Sequence, residues 1–270
     1  MKKIRVGILC GGKSAEHEVS LQSAKNIVDA MDRDKYDVVL IGIDKQGQWY
    51  LGDSAQFLLN ADNPKLIALN KTKGLLSFIP GKNALVSVTD NRSTGPVDVV
   101  FPVLHGPYGE DGAMQGFLKL ANIPFVGAGV LGSAVGMDKD VMKRLLQAAG
   151  IPVASYRVFH RARRGSINYN EIEMELGLPC FIKPANMGSS LGVSKVEDRE
   201  EFEAGIEEAF RYDHKIIIEK FIKGREIECS VLGNQEPIVS LPGEVLPRHD
   251  FYTYEAKYID ENGALLQCPA

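Results

Sequence analysis

Three short runs of the chain are apolar almost without interruption: residues 4–10 (IRVGILC), 37–43 (DVVLIGI) and 97–104 (VDVVFPVL). Runs of this kind, rich in β-branched residues, predict strands buried on both faces of a parallel sheet. Between the first two, Val19, Ala24, Ile27, Val28 and Met31 recur at helical spacing, so the start of the chain reads as a βαβ unit. From Trp49 to Arg92 polar and apolar residues alternate without a clear period, which predicts hairpins or surface embellishment. After the third run, residues 109–129 (GEDGAMQGFLKLANIPFVGAG) predict a loop, a helix through Leu118 and another short strand.

A second regime begins at Asp138, a good N-cap residue. Val141, Leu145 and Ala149 follow at helical spacing, and Gly150 and Pro152 supply the stop. Residues 151–159, 178–184, 191–196, 215–222 and 225–233 predict strands. One strong helix lies among them, with Phe202, Ile206, Ala209 and Phe210 inward and Glu200, Glu203, Glu207 and Glu208 outward. Glycine turns, not helices, join these strands, so this half is expected to be more antiparallel than the first. The expected boundaries fall near residue 127 and near Glu219–Lys220.

Composition narrows the function classes. A chain of 270 residues, 44% hydrophobic and 24% charged, can bury more than one core, and its net charge of −4 lacks the clustered cationic surface that nucleic acid demands. The one dense basic stretch, Arg161, Arg163 and Arg164, reads as a solvated loop. No apolar run approaches the ~20 residues of a membrane span. The start, with Arg5 and its glycines, lacks the apolar core of a signal peptide, so the expected location is cytoplasmic. Cys10, Cys180, Cys229 and Cys268 are far apart and lie in or beside apolar segments, which predicts reduced, buried thiols.

Candidate chemistry concentrates at residues 183–196 (KPANMGSSLGVSKV). A P-loop places its lysine after the glycines and opens a helix; here Lys183 comes first and a strand follows. Two readings stand: a hairpin folding over a polyphosphate, with donors from Ser189 and Ser190 and close backbone approach at Gly188, or a plain surface hairpin with a snorkelling lysine. Gly11 and Gly12 after the first strand, with Asp44 after the second, suggest a dinucleotide-binding dehydrogenase, but Ser14 and Glu16 break the GxGxxG spacing. Glu16-His17-Glu18 is not the HExxH metal motif. Glu16 and His105 both follow strands, where ligands of open α/β sheets bind.

Taken in order, GGKSAEHEVSLQSA (11–24), LHGPYGEDGAMQGFL (104–118), GMDKDVMKRLL (136–146), KPANMGSSLGVSKV and YEAKY (254–258) resemble the D-alanine–D-alanine ligases of the ATP-grasp superfamily. The resemblance implies an N-terminal Rossmann-like α/β substrate domain (1–127), then an α+β ATP-grasp fold of two lobes (128–219 and 220–270), the last incomplete. It implies ATP-dependent joining of two D-alanines through a D-alanyl phosphate, for peptidoglycan precursor synthesis, with Mg2+ or Mn2+. Glu16, Val19, Ser20 and His105 would bind the first D-alanine, and Glu16, Ser189 and Tyr258 would form the catalytic hydrogen-bonded group. Glu219, Lys220, Phe221 and Ile222 would meet adenine and Glu226 the ribose. Lys139, Lys183, Lys257, Ser189 and Ser190 would meet the phosphates. A lysine in a first helical turn opposes the helix dipole by about 0.3–1 kcal/mol, so an anion near Lys139 is expected. The tyrosine of YEAKY implies an amine acceptor, and pairing through the first domain into a homodimer is implied too. The family's metal ligands and a phosphate-binding arginine lie beyond Ala270; Asp260, Glu261 and Asn262 read as solvent-facing, and the sequence is expected to be a fragment. A nucleotide-binding module without turnover is the alternative.

Overall fold

In the computed structural model the described residues are 2–52, 57–61, 63, 66–71, 74–79, 84–88, 93–247 and 264–270. They form two compact units: Met1–Ala148 with Asn186–Gly188, and Ala149–Ala185 with Ser189–Ala270.

The first unit opens with β1 (Ile4–Gly11), α1 (His17–Ala30) and β2 (Tyr36–Ile43), followed by β3 (Trp49–Leu51) and the short pair β4 (Leu58–Leu59) and β5 (Ala68–Leu69). Next come β6 (Leu75–Ile79), β7 (Ala84–Ser87), β8 (Ser93–Pro96) and β9 (Val99–Val103). The main sheet has the order β8-β7-β6-β3-β2-β1-β9. Its β2-β1-β9 part is parallel, as the βαβ reading requires, and the strands beyond β2 pair antiparallel. Alternation along β1 explains its unbroken apolarity: Val6, Ile8 and Cys10 enter a core with Leu21, Ala24 and Val28 of α1, while Leu9 enters another with Leu118. A strand buried on both sides has no polar face to show.

The other side is covered by α2 (Ala113–Leu120), with α3 (Val130–Met137) and α4 (Lys139–Ala148) following. The strand expected after α2 reduces to a single parallel bridge, Val100 to Phe125. Asp138 caps α4 as expected, its Oδ1 accepting the Asp140 and Val141 N–H groups. The residues whose spacing marked α4 lie toward solvent: Val141 and Leu145 are 38% and 52% exposed. Sequence reading also missed α3, because Gly132 and Gly136 dilute its helical signal.

The second unit holds β10 (Tyr156–His160), a 3₁₀ helix (Arg161–Ser166), α5 (Tyr169–Leu176), β11 (Cys180–Pro184), β12 (Ser194–Val196), α6 (Arg199–Tyr212) and β13 (Lys215–Lys220). The sheet order is β10-β13-β11-β12, antiparallel throughout. Arg161, Arg163 and Arg164, expected in a loop, sit in the 3₁₀ helix, where no residue is buried. Strand β12 is shorter than LGVSKV because Gly192 holds a left-handed φ of +68°. The face of α6 predicted inward is buried, packing with Cys180, Ile182, Ile216 and Ile218. Sequence reading missed α5, although Asn168 caps it and Ile172 and Leu176 bury one helical face. Beyond it, β14 (Glu226–Glu228), β15 (Val231–Leu232), β16 (Ile238–Val239), β17 (Gly243–Pro247) and β18 (Ala264–Gln267) form a sheet of order β14-β17-β18 and the pair β15-β16.

All four cysteines are free, but only Cys10 and Cys180 are buried; Cys229 and Cys268 are exposed, which corrects the expectation of four buried thiols. Burial pushes the Cys10 thiol well up and the Cys180 thiol up to about 11, so neither is a ready nucleophile. Thiol titration of the native protein should therefore detect two fast groups, lost in Cys229→Ser/Cys268→Ser, with the remaining two reacting only on unfolding. Phe202→Ala, which empties the most deeply packed aromatic position in the core of the second unit, should cost about 3–5 kcal/mol by urea denaturation.

Candidate functional site

At the carboxyl ends of β1 and β9 the first unit gathers its polar residues. The Ser20 hydroxyl, fully buried on α1, accepts the Gly11 N–H at 2.7 Å and donates to the Val103 carbonyl, tying the two strand ends together. Ser14 Oγ donates to the His105 carbonyl at 2.7 Å and accepts the Glu16 N–H at 3.2 Å, linking the loops that follow the strands. Glu16 is 3% exposed. Its Oε2 lies 2.2 Å from where a Cβ on Gly106 would stand and 3.4 Å from one on Gly188, so two glycines form the surface over it. Gly106 also adopts φ +69°, a left-handed conformation that costs a side chain free energy. His17 is buried beside this loop, and its Nδ1 lies 2.7 Å from the Gly12 carbonyl, which requires an N–H at that nitrogen.

A cavity of about 740 Å³ adjoins this cluster, with His105, Glu110, Gln115, Lys139, Met187 and Gly188 in its walls. Glu110 accepts the Gly106 N–H at 2.7 Å and faces His105 Nδ1 at 3.9 Å, while Ser23 Oγ lies 3.2 Å from His105 Nε2. Burial works to raise the Glu110 carboxyl; the His105 ring and the Gly106 N–H outweigh it and hold the group below its ordinary value of 4.5. Gln115 donates to the Gly109 carbonyl at 2.8 Å. Lys139 reaches into the same walls and donates to the Met187 carbonyl. An ammonium at Lys139 and a carboxylate at Glu16 suit a small ligand carrying both charges.

In the second unit, the sheet face away from α6 is chemically distinct. Register sets Tyr156, Glu219, Phe181 and Lys195 side by side across the strands, with Lys183 opposite Ile217 in the neighbouring row. Lys183 pairs with Glu219, both largely enclosed, and its ammonium lies 5.5 Å from the Phe181 ring centre. Phe181 packs on Phe221 at 6.0 Å, and Lys195 lies 5.6 Å from the Phe221 ring. Flat aromatic surface beside ammonium groups is suited to an aromatic, anionic ligand.

The D-ala D-ala ligase N-terminus profile matches residues 5–128 and the D-ala D-ala ligase C-terminus profile matches residues 145–270. A D-alanine–D-alanine ligase of Oceanobacillus iheyensis is 59% identical over 100% of this chain and 74% of its own. Among solved structures, the D-alanine-D-alanine ligase from Coxiella burnetii superposes with a TM-score of 0.79 at 40% identity, covering 90% of this chain and 71% of that one. The VanG D-Ala:D-Ser ligase from Enterococcus faecalis gives 0.81 at 36% identity, over 100% and 77%. The chain belongs to the D-alanine–D-alanine ligase family. Its fold is accordingly the Rossmann-like domain and ATP-grasp arrangement expected from the sequence, and members of the family are ATP-dependent enzymes.

Of the residues that the ligase resemblance singles out, Glu16, Ser20 and His105 lie together in the first unit; Val19 is buried on α1 next to them. Lys139 shares their cavity wall. Lys183 and Glu219 meet each other in the second unit, where Ser189 and Ser190 take left-handed φ values of 50° and 59°. Lys220 donates its N–H to the Ser155 carbonyl at 2.9 Å; Ile222 is 62% exposed and Glu226 is exposed on β14. Lys257 and Tyr258 lie outside the described residues. Sequence reading missed Ser14, Ser23, Glu110 and Gln115 in the first unit. All four stand in the ligase-like motifs, but only Ser23, three residues after Ser20 and so on the same side of α1, has a spacing that hints at its place.

Ser20→Ala removes the partner of one buried donor and one buried acceptor, and should cost about 1–3 kcal/mol in urea. Because Glu110 titrates below its ordinary value, its stabilisation is complete above 4.5 and fades as the pH falls through the lowered value. Urea midpoints measured from pH 7 to pH 3 should fall less steeply for Glu110→Gln than for the native protein.

Proposed function

We propose that this chain joins D-alanine to D-alanine in an ATP-dependent ligation that supplies a peptidoglycan precursor. One observation carries the reading: a buried carboxylate, Glu16, roofed by Gly106 and Gly188 beside His105, at the strand ends where an open α/β sheet binds its ligand. Glu16 takes the ammonium of the first D-alanine, and His105 takes its carboxylate. Val19 and Ser20, which the family resemblance gives to the first D-alanine, serve it through the loop that presents Glu16, since both are buried and the Ser20 hydroxyl is engaged with Gly11 and Val103. Ser189 and Tyr258 complete the hydrogen bonding of Glu16.

The nucleotide falls to the other named residues. Glu219 to Ile222 read adenine, Glu226 the ribose, and Lys139, Lys183, Lys257, Ser189 and Ser190 the phosphates. The chemistry that ATP supplies is transfer of its γ-phosphoryl group to the first carboxylate, giving D-alanyl phosphate and ADP; the amine of the second D-alanine then attacks the acyl carbon and expels phosphate. For their part the chain's residues orient, neutralise charge and exclude water. Orientation of reactants is worth about 7–11 kcal/mol, against roughly 3–4 for one well-placed donor. A divalent cation, Mg2+ or Mn2+, accompanies ATP on this reading, yet among the described residues no group of three carboxylates, histidines or cysteines is placed to hold one. None of these residues is therefore given to it.

The division proposed is 1–127 for D-alanine and 128–219 with 220–270 for nucleotide. Its partners are small molecules and a second copy, the latter through the first unit. Leu120 and Leu131, 85% and 77% exposed, support that pairing. The net charge of −4 supports a chain without nucleic-acid partners. No helix among the described residues is long and apolar enough to cross a membrane, which supports a cytoplasmic setting.

Phosphate release from ATP, measured with D-alanine, D-serine, L-alanine or no amino acid, tests the activity. Stimulation by D-alanine above the other additions is expected; release indifferent to the amino acid would sink the reading. Glu16→Gln should raise the KM for D-alanine about 10- to 100-fold and leave that for ATP within a factor of two, since a charged hydrogen bond is worth about 1.5–3 kcal/mol. Lys183→Ala should show the opposite pattern.

A further inference from the structure

The ring of His105 lies between two side chains from different elements. Ser23, on α1, places its hydroxyl 3.2 Å from Nε2. Glu110, on the loop before α2, places a carboxylate oxygen 3.9 Å from Nδ1, close enough for charge attraction but too long for a hydrogen bond. Ser23 is thus the one partner within hydrogen-bond distance of the ring among the described residues. Glu110 is itself anchored, through the Gly106 N–H at 2.7 Å, and the Gln115 amide braces the same loop at the Gly109 carbonyl. The other ionisable groups around this point are Lys139 in the cavity wall and Glu16 behind Gly106.

These contacts also select a tautomer. An ionised carboxylate only accepts, so the nitrogen facing Glu110 carries the proton; Nε2 then offers a lone pair, and a serine hydroxyl can donate to it. We infer that Ser23 is a positioning residue: its hydroxyl, with Glu110 opposite, fixes the His105 ring in one orientation and, in its neutral form, as the Nδ1–H tautomer, and so makes Nδ1–H, which lies beyond hydrogen-bond distance of Glu110, the ring's donor to the carboxylate of the first substrate. The substrate half of this inference rests on the cavity being the D-alanine site; the hold on the ring does not. Without Ser23 the ring keeps only the 3.9 Å approach to Glu110 and can turn about its Cβ–Cγ bond.

Long-range ¹H–¹⁵N spectra of the histidine rings, recorded at alkaline pH on the ligand-free protein and assigned with His105→Gln, read the tautomer directly. The native protein should show His105 as the Nδ1–H form, Ser23→Ala a mixture, and Ser23→Thr, which keeps the hydroxyl, the native form. In steady-state assays Ser23→Ala should raise the KM for D-alanine about five-fold, the size of one neutral hydrogen bond, with kcat and the KM for ATP within a factor of two. Ser23→Thr should recover most of the difference. An unchanged ring spectrum in Ser23→Ala overturns the inference, as does a changed spectrum with an unchanged KM for D-alanine. If the spectra behave as expected while even the native protein ignores D-alanine, the reading of the cavity falls and Ser23's hold on the ring stands.

Discussion

The first unit depends on one hydroxyl. Ser20 sits where β1 and β9 end side by side, with no solvent in reach, and its oxygen answers a backbone N–H from one strand and a backbone C=O from the other. Parallel strands carry their loops out at the same edge, so closing that edge fixes the starting points of both the Glu16 loop and the His105 loop. Ser14 then joins the two loops a few residues further on. The polar cluster is thus held at its base by buried hydrogen bonds in an apolar surround, where each is strengthened by the low local dielectric.

In the second unit the same economy is achieved through strand alternation. Cys180 and Ile182 of β11, and Ile216 and Ile218 of β13, point to α6; the residues between them, Phe181, Lys183 and Glu219 among them, are left to the opposite face. A one-residue slip of β11 would bury Lys183 among isoleucines, and one of β13 would do the same to Glu219, so the register that makes the core also makes the charged face. Pairing with Glu219 lets an ammonium sit there, largely enclosed, without the desolvation penalty of a lone charge.

How far this was legible in the sequence follows from period and from distance along the chain. The strands β1, β2 and β9 are continuous apolar runs because both faces are buried, and α6 shows a clean helical stripe because one face is; both signals survive in the residues themselves. Helix α3 does not announce itself, since only Ser133 along it is buried and its glycines carry no pattern. The outward stripe of α4 shows that periodicity identifies a helix without naming the side that packs. Glu16 and His105 could be named from their loops, yet their connection through Ser14, and the partnership of Ser23 with a ring eighty-two positions away, exist only once β1 and β9 pair. Assigning roles to these residues needed the family resemblance as well as the chemistry of the side chains.

Gly106 is constrained twice over, by a left-handed backbone and by a carboxylate oxygen standing where its Cβ would go. Every amino acid reachable from a glycine codon by a single base change carries a Cβ, so no one-step mutation at this position escapes both conflicts. Replacing Gly106 therefore requires the carboxylate end of Glu16 to move and a side chain to bear a left-handed φ, so geometry penalises drift at this site before selection for any activity is considered.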